Sequence, residues 1–166
     1  MVRVIASKQK KNSLMDKMTL LSKIRKALIN DKIAKKICKE KGVGEWFLKG
    51  VPIDFGEIKP SAKTVDSSII LNNKLMDKPF NIMMRYVIHE LTHSIQHVQD
   101  QESKRDTEEY LDRPTEIEAF KNQIEYDADK RGEDKAEEYV DGLLDFHDIK
   151  GKERKDKKDE LLEDLD

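Results

Sequence analysis

The sequence predicts a mostly helical α+β fold with a small antiparallel sheet beside a histidine-bearing helix. Apolar residues recur at spacings of three and four along most of the chain, which is the period of an amphipathic helix. Short β-rich segments occur only between residues 51 and 71, so we expect two strands. The 166 residues suffice for one domain, but 40% of them are charged against the usual quarter or so, so the core must be small.

The first 50 residues predict a basic helical hairpin that packs on the core. Residues 13–30 carry apolar residues at helical spacing, and Asp31 can cap a second helix that stops near Gly42. This segment has 14 Lys and Arg against 4 Asp and Glu, whereas residues 51–166 have 18 against 30. A basic segment can bind nucleic acid or an acidic partner, or it can complement the acidic part of its own chain.

Residues 51–150 are expected to form the core, and residues 151–166 a charged tail. Residues 51–55 alternate apolar and polar side chains and residues 65–71 are β-rich, so we expect two antiparallel strands. A long helix follows Pro79 and another begins near Pro114, after a polar loop. A further apolar-spaced segment ends at about residue 146. The tail predicts either a solvated helix or disorder.

His89, Glu90 and His93 form the pattern His-Glu-x-x-His on the helix after Pro79. Side chains four residues apart project from one helix face, so two imidazoles can converge on one metal ion. Zinc suits imidazole nitrogen in tetrahedral geometry, and a glutamate beside the metal can take a proton from bound water. The alternative is a pair of ordinary polar histidines. The histidines lie on the half of the helix opposite its apolar residues, so they face a defined side. The apolar residues are Met84, Val87, Ile88, Leu91, Ile95 and Val98.

A third protein ligand must come from outside this motif. His97 lies eight residues from His89, about 12 Å along a helix axis, so one ion cannot bind both. Glu116 and Glu118, at the start of the next predicted helix, are the better candidates. Glu116 lies nearer the apolar face of that helix, whereas Glu118 fits a capping box with Thr115, so we favour Glu116.

With a glutamate supplied by a later helix, the chain resembles the gluzincin branch of the zincin metallopeptidases. Residues 116–119 match the Glu-x-x-Ala form of that branch, although Phe120 stands where an Asp often follows. The chain is similar in particular to small metallopeptidases predicted in phage and bacterial genomes, over roughly residues 64–126. The resemblance implies a zinc ion held by His89, His93 and Glu116. Peptide bonds would be hydrolysed by zinc-activated water, with Glu90 as general base and then as acid to the leaving amine.

Peptide hydrolysis also needs a donor for the negative charge that develops on the carbonyl oxygen. Three residues of the second half offer one, and the sequence does not choose among them: Tyr110, Tyr126 and His147. The usual carboxylate beside the metal ligands is not identified either, because of Phe120. Substrate and cleavage specificity are beyond the sequence, since specificity pockets arise from loops and strand edges.

Two functions from other classes compete with the metallopeptidase. A non-catalytic zinc-binding interaction module would not need Glu90 and would usually close all four coordination positions of the metal. A nucleic-acid-associated protein would act through the basic helices of residues 1–50, but no aromatic residues alternate with the basic ones to stack on bases.

Cys38 is the only cysteine, so no disulfide can form within the chain and a reducing compartment is the default. No stretch approaches the roughly 18 consecutive apolar residues of a membrane span. Residues 1–6 are too short an apolar run for a secretory signal. The sequence therefore predicts a cytoplasmic protein that acts on a peptide or protein substrate away from membranes. It gives no indication of oligomeric state.

Overall fold

A computed structural model describes residues 2–101 and 109–165, with the backbone alone for residues 2–15. Over these ranges the helices are α1 (Val2–Asn30), α2 (Lys32–Lys41), α3 (Trp46–Gly50), α4 (Phe80–Val98), α5 (Pro114–Arg131), α6 (Glu133–Phe146) and α7 (Gly151–Leu162). The strands are β1 (Ile53–Gly56), β2 (Ala62–Val65) and β3 (Ser68–Asn72). Short 3-10 helices occupy Asn73–Asp77, Tyr110–Asp112 and Glu163–Leu165. The predicted mostly helical α+β fold is confirmed.

The sheet is mixed, which corrects the antiparallel prediction. β3 lies in the middle and pairs with β1 in parallel and with β2 antiparallel. The two segments expected to be strands do pair, but they run in the same direction. The physical reason is the additional strand β2, because the chain reverses once into β2 and again into β3.

A two-residue turn at Asp66 and Ser67 separates β2 from β3. Both residues have positive φ, 49° and 68°, as in the tight turns that match the twist of a hairpin. Such turns favour glycine, and this one has none, so the sequence predicted one strand across it. The side chains on one face of the sheet pack toward the helices: Phe55, Ala62, Thr64, Ile69 and Leu71.

Helix α4 is the centre of the larger core. It contacts β2, β3 and α5, and its apolar half is buried as predicted except at Val98, which is 53% exposed because it ends the helix. Each buried side chain of this size stabilises the fold by roughly 1.5–3 kcal/mol. The fully buried apolar residues of α4 are Met83, Met84, Val87, Ile88, Leu91 and Ile95. This packing sets the rotation of α4, and so the side to which its histidines point.

The N-terminal helices pack on this core. Helix α1 starts well before the predicted residue 13, and α2 has the predicted ends: Asp31 accepts a hydrogen bond from the amide of Ala34, and Gly42 closes the helix at φ 71°. Part of the basic charge is paired within the chain. Lys32 contacts Asp129 and Lys36 contacts Glu125, both on α5, at 2.6 and 2.7 Å.

A second apolar cluster joins α5, α6 and α7. Its buried members are Leu111, Phe120, Ile124, Ala136, Val140, Leu144 and Leu161. Of the two alternatives for the tail, the structure has the helix, which buries Leu161 and pairs Arg154 with Asp145. The domain boundaries at residues 50 and 150 stay predictions. Across the described ranges, no helix is both long enough and apolar enough to cross a bilayer.

Candidate metal centre

Three residues of α4 meet at one point. Potential ligand atoms of His89, Glu90 and His93 all lie within 4.8 Å of one another. The two Nε2 atoms of the histidines are 3.2 Å apart. His89 and Glu90 are only 7% and 6% exposed, because α5 and β2 cover this part of the helix. The motif is thus a nearly buried, convergent group rather than a set of solvated surface residues.

Glu116 brings a second carboxylate to the same point from α5. Its Oε1 lies 2.7 Å from Nε2 of His93, and its Oε2 lies 3.3 Å from Nε2 of His89. The helix that carries it begins with Pro114, so Glu116 is in the first turn and points at α4 from the helix start. The structure therefore brings Glu116 to the two histidines across the α4–α5 contact.

The spacing of these atoms fits a tetrahedral metal ion. Two nitrogens bound at about 2.05 Å in tetrahedral geometry are about 3.3 Å apart, close to the 3.2 Å between the two Nε2 atoms. Among the described side chains, the buried Oε2 of Glu116 finds no hydrogen-bond partner, which leaves it free to act as a ligand. A His₂Glu set with one further position is a donor set of catalytic zinc sites.

Two glutamine side chains hold the imidazoles from behind. Oε1 of Gln123 lies 2.9 Å from Nδ1 of His89, and Oε1 of Gln96 lies 2.7 Å from Nδ1 of His93. The orientation of the Gln96 amide, with its oxygen toward His93, is fixed because its NH₂ group donates to the carbonyl of Thr115 and to a carboxylate of α5. An acceptor at Nδ1 keeps the proton there and directs the Nε2 lone pair at the shared point.

Phe120 stands where the Glu-x-x-Ala-Asp pattern has Asp, and it contacts one of the histidines through its ring rather than through a carboxylate. Its ring packs edge-on against His89, with centroids 4.5 Å apart, and is nearly buried. Gln123, one turn further along α5, supplies the polar contact to His89 that a carboxylate would otherwise make. Gln123 was not among the residues predicted from the sequence. The sequence feature that could have pointed to it is an amide side chain on the apolar face of α5, beside Ile124.

The charges of this group are strongly coupled. Burial lowers the pKa of His93, but the carboxylates of Glu116 and Glu90 outweigh it and raise that pKa to about 9. Burial also acts to raise the pKa of Glu116, but its close contacts with the two histidines hold that pKa well below its ordinary value. Without a metal ion, the raised pKa of His93 favours a second proton on its Nε2, shared with Glu116; a metal ion bound there would displace that proton and use the Nε2 lone pair.

Glu90 lies beside the group and is held by β2. Its Oε2 accepts a hydrogen bond from Oγ1 of Thr64 at 3.1 Å. Burial raises its pKa, although the neighbouring histidines oppose the shift. A carboxylate with a raised pKa is a stronger base near neutral pH. Thr64 carried no motif in the sequence, because its approach depends on how β2 packs on α4.

Glu118 and His97 lie outside the group. The carboxylate of Glu118 contacts Nζ of Lys41 at 3.1 Å and the amide of Gln96. The capping-box role expected for Glu118 is wrong, because α5 begins at Pro114 and its N-cap residue is therefore Arg113 rather than Thr115, with no side-chain cap. His97 lines the rim of the cleft in front of the group, as its distance along α4 requires.

Of the three candidate oxyanion donors, the structure places Tyr110 at the group. Tyr110 lines the same cleft as Glu90, His93 and Glu116, and burial together with the Glu116 charge raises the pKa of its hydroxyl. His147 stacks on the outer side of Tyr110, with ring centroids 5.5 Å apart. Tyr126 is buried in the larger core with Lys130 over its ring, away from the cleft.

Two clefts open on either side of this group and share its centre. The first, about 420 Å³, is polar and lined by Lys63, Asp66 and Arg113 among others. The second, about 450 Å³, is lined mainly by aromatic and aliphatic side chains of α4, α5 and α6. Both are lined by Ala62, Glu90 and Tyr110, so they adjoin at this group beside β2, and we call the two clefts together the groove.

No protein-family model, curated protein or solved structure matches the chain. The resemblance to the gluzincins therefore rests on its own residues: the two histidines and Glu90 on α4, and Glu116 at the start of α5.

Proposed function

We propose that this protein is a zinc-dependent metallopeptidase that hydrolyses peptide bonds. One observation carries the proposal: the ligand atoms of His89, His93 and Glu116 lie 2.7–3.3 Å from one another, with the carboxylate of Glu90 beside them. A purely structural zinc site would not need a second acidic group beside its three ligands. A groove that can hold a substrate also runs past this point.

His89, His93 and Glu116 would hold the zinc ion. When bound, zinc supplies a Lewis acid and lowers the pKa of a water molecule toward neutrality. The glutamines behind the imidazoles keep both rings turned toward the ion, since each amide oxygen fixes the proton on Nδ1. Glu116 balances part of the ion's charge in a nearly buried setting.

Glu90 would move the proton. Its raised pKa lets the carboxylate accept a proton from the attacking water and later donate that proton to the leaving amine. The hydrogen bond from Thr64 occupies Oε2 and so orients Oε1 toward the groove. Tyr110 would donate a hydrogen bond from its hydroxyl to the carbonyl oxygen as negative charge develops there, a kind of contact worth about 10²–10³-fold in rate.

A peptide would bind in extended form along β2. Among the described residues, β2 pairs only with β3, so its outer edge is open to backbone hydrogen bonds from another strand. Such pairing gives affinity without sequence preference, and the two clefts would receive the side chains. A cytoplasmic location is part of the proposal, supported by the single buried free thiol of Cys38.

Removal of metal tests this function directly. We expect the purified chain to cleave members of a mixed peptide library, to lose this activity on dialysis against a chelator, and to regain it with one equivalent of zinc. Cleavage is measured by mass spectrometry of the products. Activity that survives complete removal of metal would contradict the proposal. Stoichiometric zinc without any cleavage would support the interaction module instead.

The glutamine behind His89 gives a further prediction. Replacing Gln123 with Met keeps the volume but removes the acceptor for Nδ1 of His89, so we expect zinc affinity to fall by about 10–100-fold. Competition with a chromophoric chelator measures the affinity. Gln99→Met is the control, because Gln99 donates to the carbonyl of Lys41 and does not contact the histidines. Equal affinities for wild type and Gln123→Met would disprove the orienting role.

A further inference from the structure

The cleft on the His89 side of the group has walls unlike the rest of the groove. The side chains that form it are largely aromatic or aliphatic: Tyr86, Phe120, Tyr139, Leu143 and Phe146. Its volume of about 450 Å³ lies within the usual range of ligand pockets. We call this cleft the aromatic pocket. The opposite cleft carries charged side chains instead, so the two ends of the groove differ in chemistry.

The rings of this region form a continuous row from solvent to the candidate metal centre. Phe146 contacts His147 at 5.2 Å between centroids, His147 stacks on Tyr110 at 5.5 Å, Tyr110 meets Phe120 at 6.0 Å, and Phe120 meets His89 at 4.5 Å. Most of these pairs are edge-to-face, which is the arrangement aromatic rings prefer. A further ring entering the pocket would find both faces and edges to contact.

The walls of the pocket are held in place before any ligand arrives. The guanidinium of Arg85 lies 4.4 Å from the centre of the Tyr139 ring, and the same group is near the buried carboxylate of Asp127 at 3.9 Å. Phe120 is fixed between His89 and Tyr110. A rigid pocket costs less conformational entropy on binding than one that must form around its ligand.

Phe146 leaves an apolar surface exposed beside the pocket. It is the last residue of α6 and is 84% exposed at the mouth of the pocket. An isolated exposed apolar residue is ordinary, but this one continues an apolar wall that leads inward. A bulky apolar group in the pocket would cover it and remove both surfaces from water.

We propose that the aromatic pocket binds an aromatic side chain of the substrate, on the residue next to the bond that is cleaved. This inference rests on the proposed peptidase function, because it places the substrate backbone along β2. The pocket and the polar cleft share Ala62 of β2 and Glu90. If an extended peptide binds along this edge with the bond to be cleaved at Glu90, the side chain of the residue beside that bond therefore lies at the pocket. Substrates with an aromatic residue there are selected over those with alanine.

Two small probes test the pocket without requiring cleavage. N-acetyl-phenylalanine amide and N-acetyl-alanine amide are titrated into the full chain, with and without zinc, and followed by chemical-shift changes in NMR. We expect the phenylalanine probe to bind at least about tenfold tighter, as a buried ring against a methyl group should. Equal affinities, or no binding of either probe at millimolar concentration, would overturn the inference.

Phe146→Ala and Trp46→Ala are the matched variants. Both residues are exposed aromatics, at 84% and 69%, so neither change should affect folding, and Trp46 lies on α3 outside the pocket lining. We expect Phe146→Ala to weaken the phenylalanine probe at least threefold and Trp46→Ala to leave it unchanged. Equal weakening by both would contradict the pocket.

The probe titration and the library cleavage assay together separate this inference from the function on which it rests. Selective binding of the phenylalanine probe by a chain that cleaves no peptide would refute the peptidase and keep the pocket. Cleavage of library peptides with no enrichment of aromatic residues beside the cleaved bond would keep the peptidase and refute the pocket. We expect enrichment on one side of the bond only, with kcat/KM about 100-fold above that of the alanine peptide.

Discussion

Glu90→Gln is expected to lower kcat/KM for peptide cleavage by about 10³-fold while zinc stays bound. Glutamine has nearly the same shape and can still accept the hydrogen bond from Thr64, but it cannot take a proton. Proton transfer by a positioned side chain contributes about 10²–10⁴-fold to such reactions, and the expected loss lies within that range. The loss should appear in kcat, because the groove that binds the substrate is unchanged.

Glu118→Gln is the control for this change. Glu118 is two residues from Glu116 on α5, but its carboxylate contacts Lys41 and Gln96 rather than the histidines. We expect its kcat/KM to stay within about threefold of wild type. Zinc per chain, measured by elemental analysis, should be equal in all three proteins. A Glu90→Gln protein that cleaves at the full rate would refute the assignment of Glu90 as general base.

The position of α4 and its motif was predictable because two local signals agree. The apolar half of the helix is buried against the sheet, and the histidines occupy the other half, as a period of 3.6 residues requires. Asp31 and Gly42 were predictable for the same reason, since a cap depends on bonds within its own helix end. Such features need no knowledge of the tertiary fold.

The sheet was harder, because its direction depends on a short strand without a clear sequence signal. The turn at Asp66 and Ser67 has two positive φ angles without a glycine, so it left no mark between two β-rich segments. With β2 unseen, antiparallel pairing was the natural expectation for β1 and β3. One missed turn therefore changed the predicted direction of a strand pair.

The contacts behind the candidate metal ligands could not be predicted at all. Gln123 reaches His89, and Thr64 reaches Glu90, only through the packing of α5 and β2 on α4. The preference for Glu116 over Glu118 came from helix-wheel angles, and the structure brings Glu116 to the histidines. The capping box that was to occupy Glu118 failed, because Pro114 sets where α5 begins.

Replacing a proposed zinc ligand is expected to weaken zinc binding strongly. We expect His93→Ala and Glu116→Gln each to weaken zinc binding by at least about 100-fold, more than the loss of a supporting residue such as Gln123. Glu118→Gln should bind zinc as wild type does. The affinities come from competition with a chelator. Thermal unfolding gives an independent readout, because zinc that binds only the folded chain raises Tm, and this rise should vanish in both ligand variants.

The critical comparison is between Glu90→Gln and Glu116→Gln. Its carboxylate lies within 4.8 Å of the ligand atoms of His89 and His93, so by distance alone it could serve as the third ligand in place of Glu116. The two arrangements predict opposite results. If Glu116 is the ligand, Glu116→Gln loses zinc and Glu90→Gln keeps it but loses activity. If Glu90→Gln loses zinc and Glu116→Gln keeps it, Glu90 is a ligand, and the hydrolytic mechanism proposed for it is wrong.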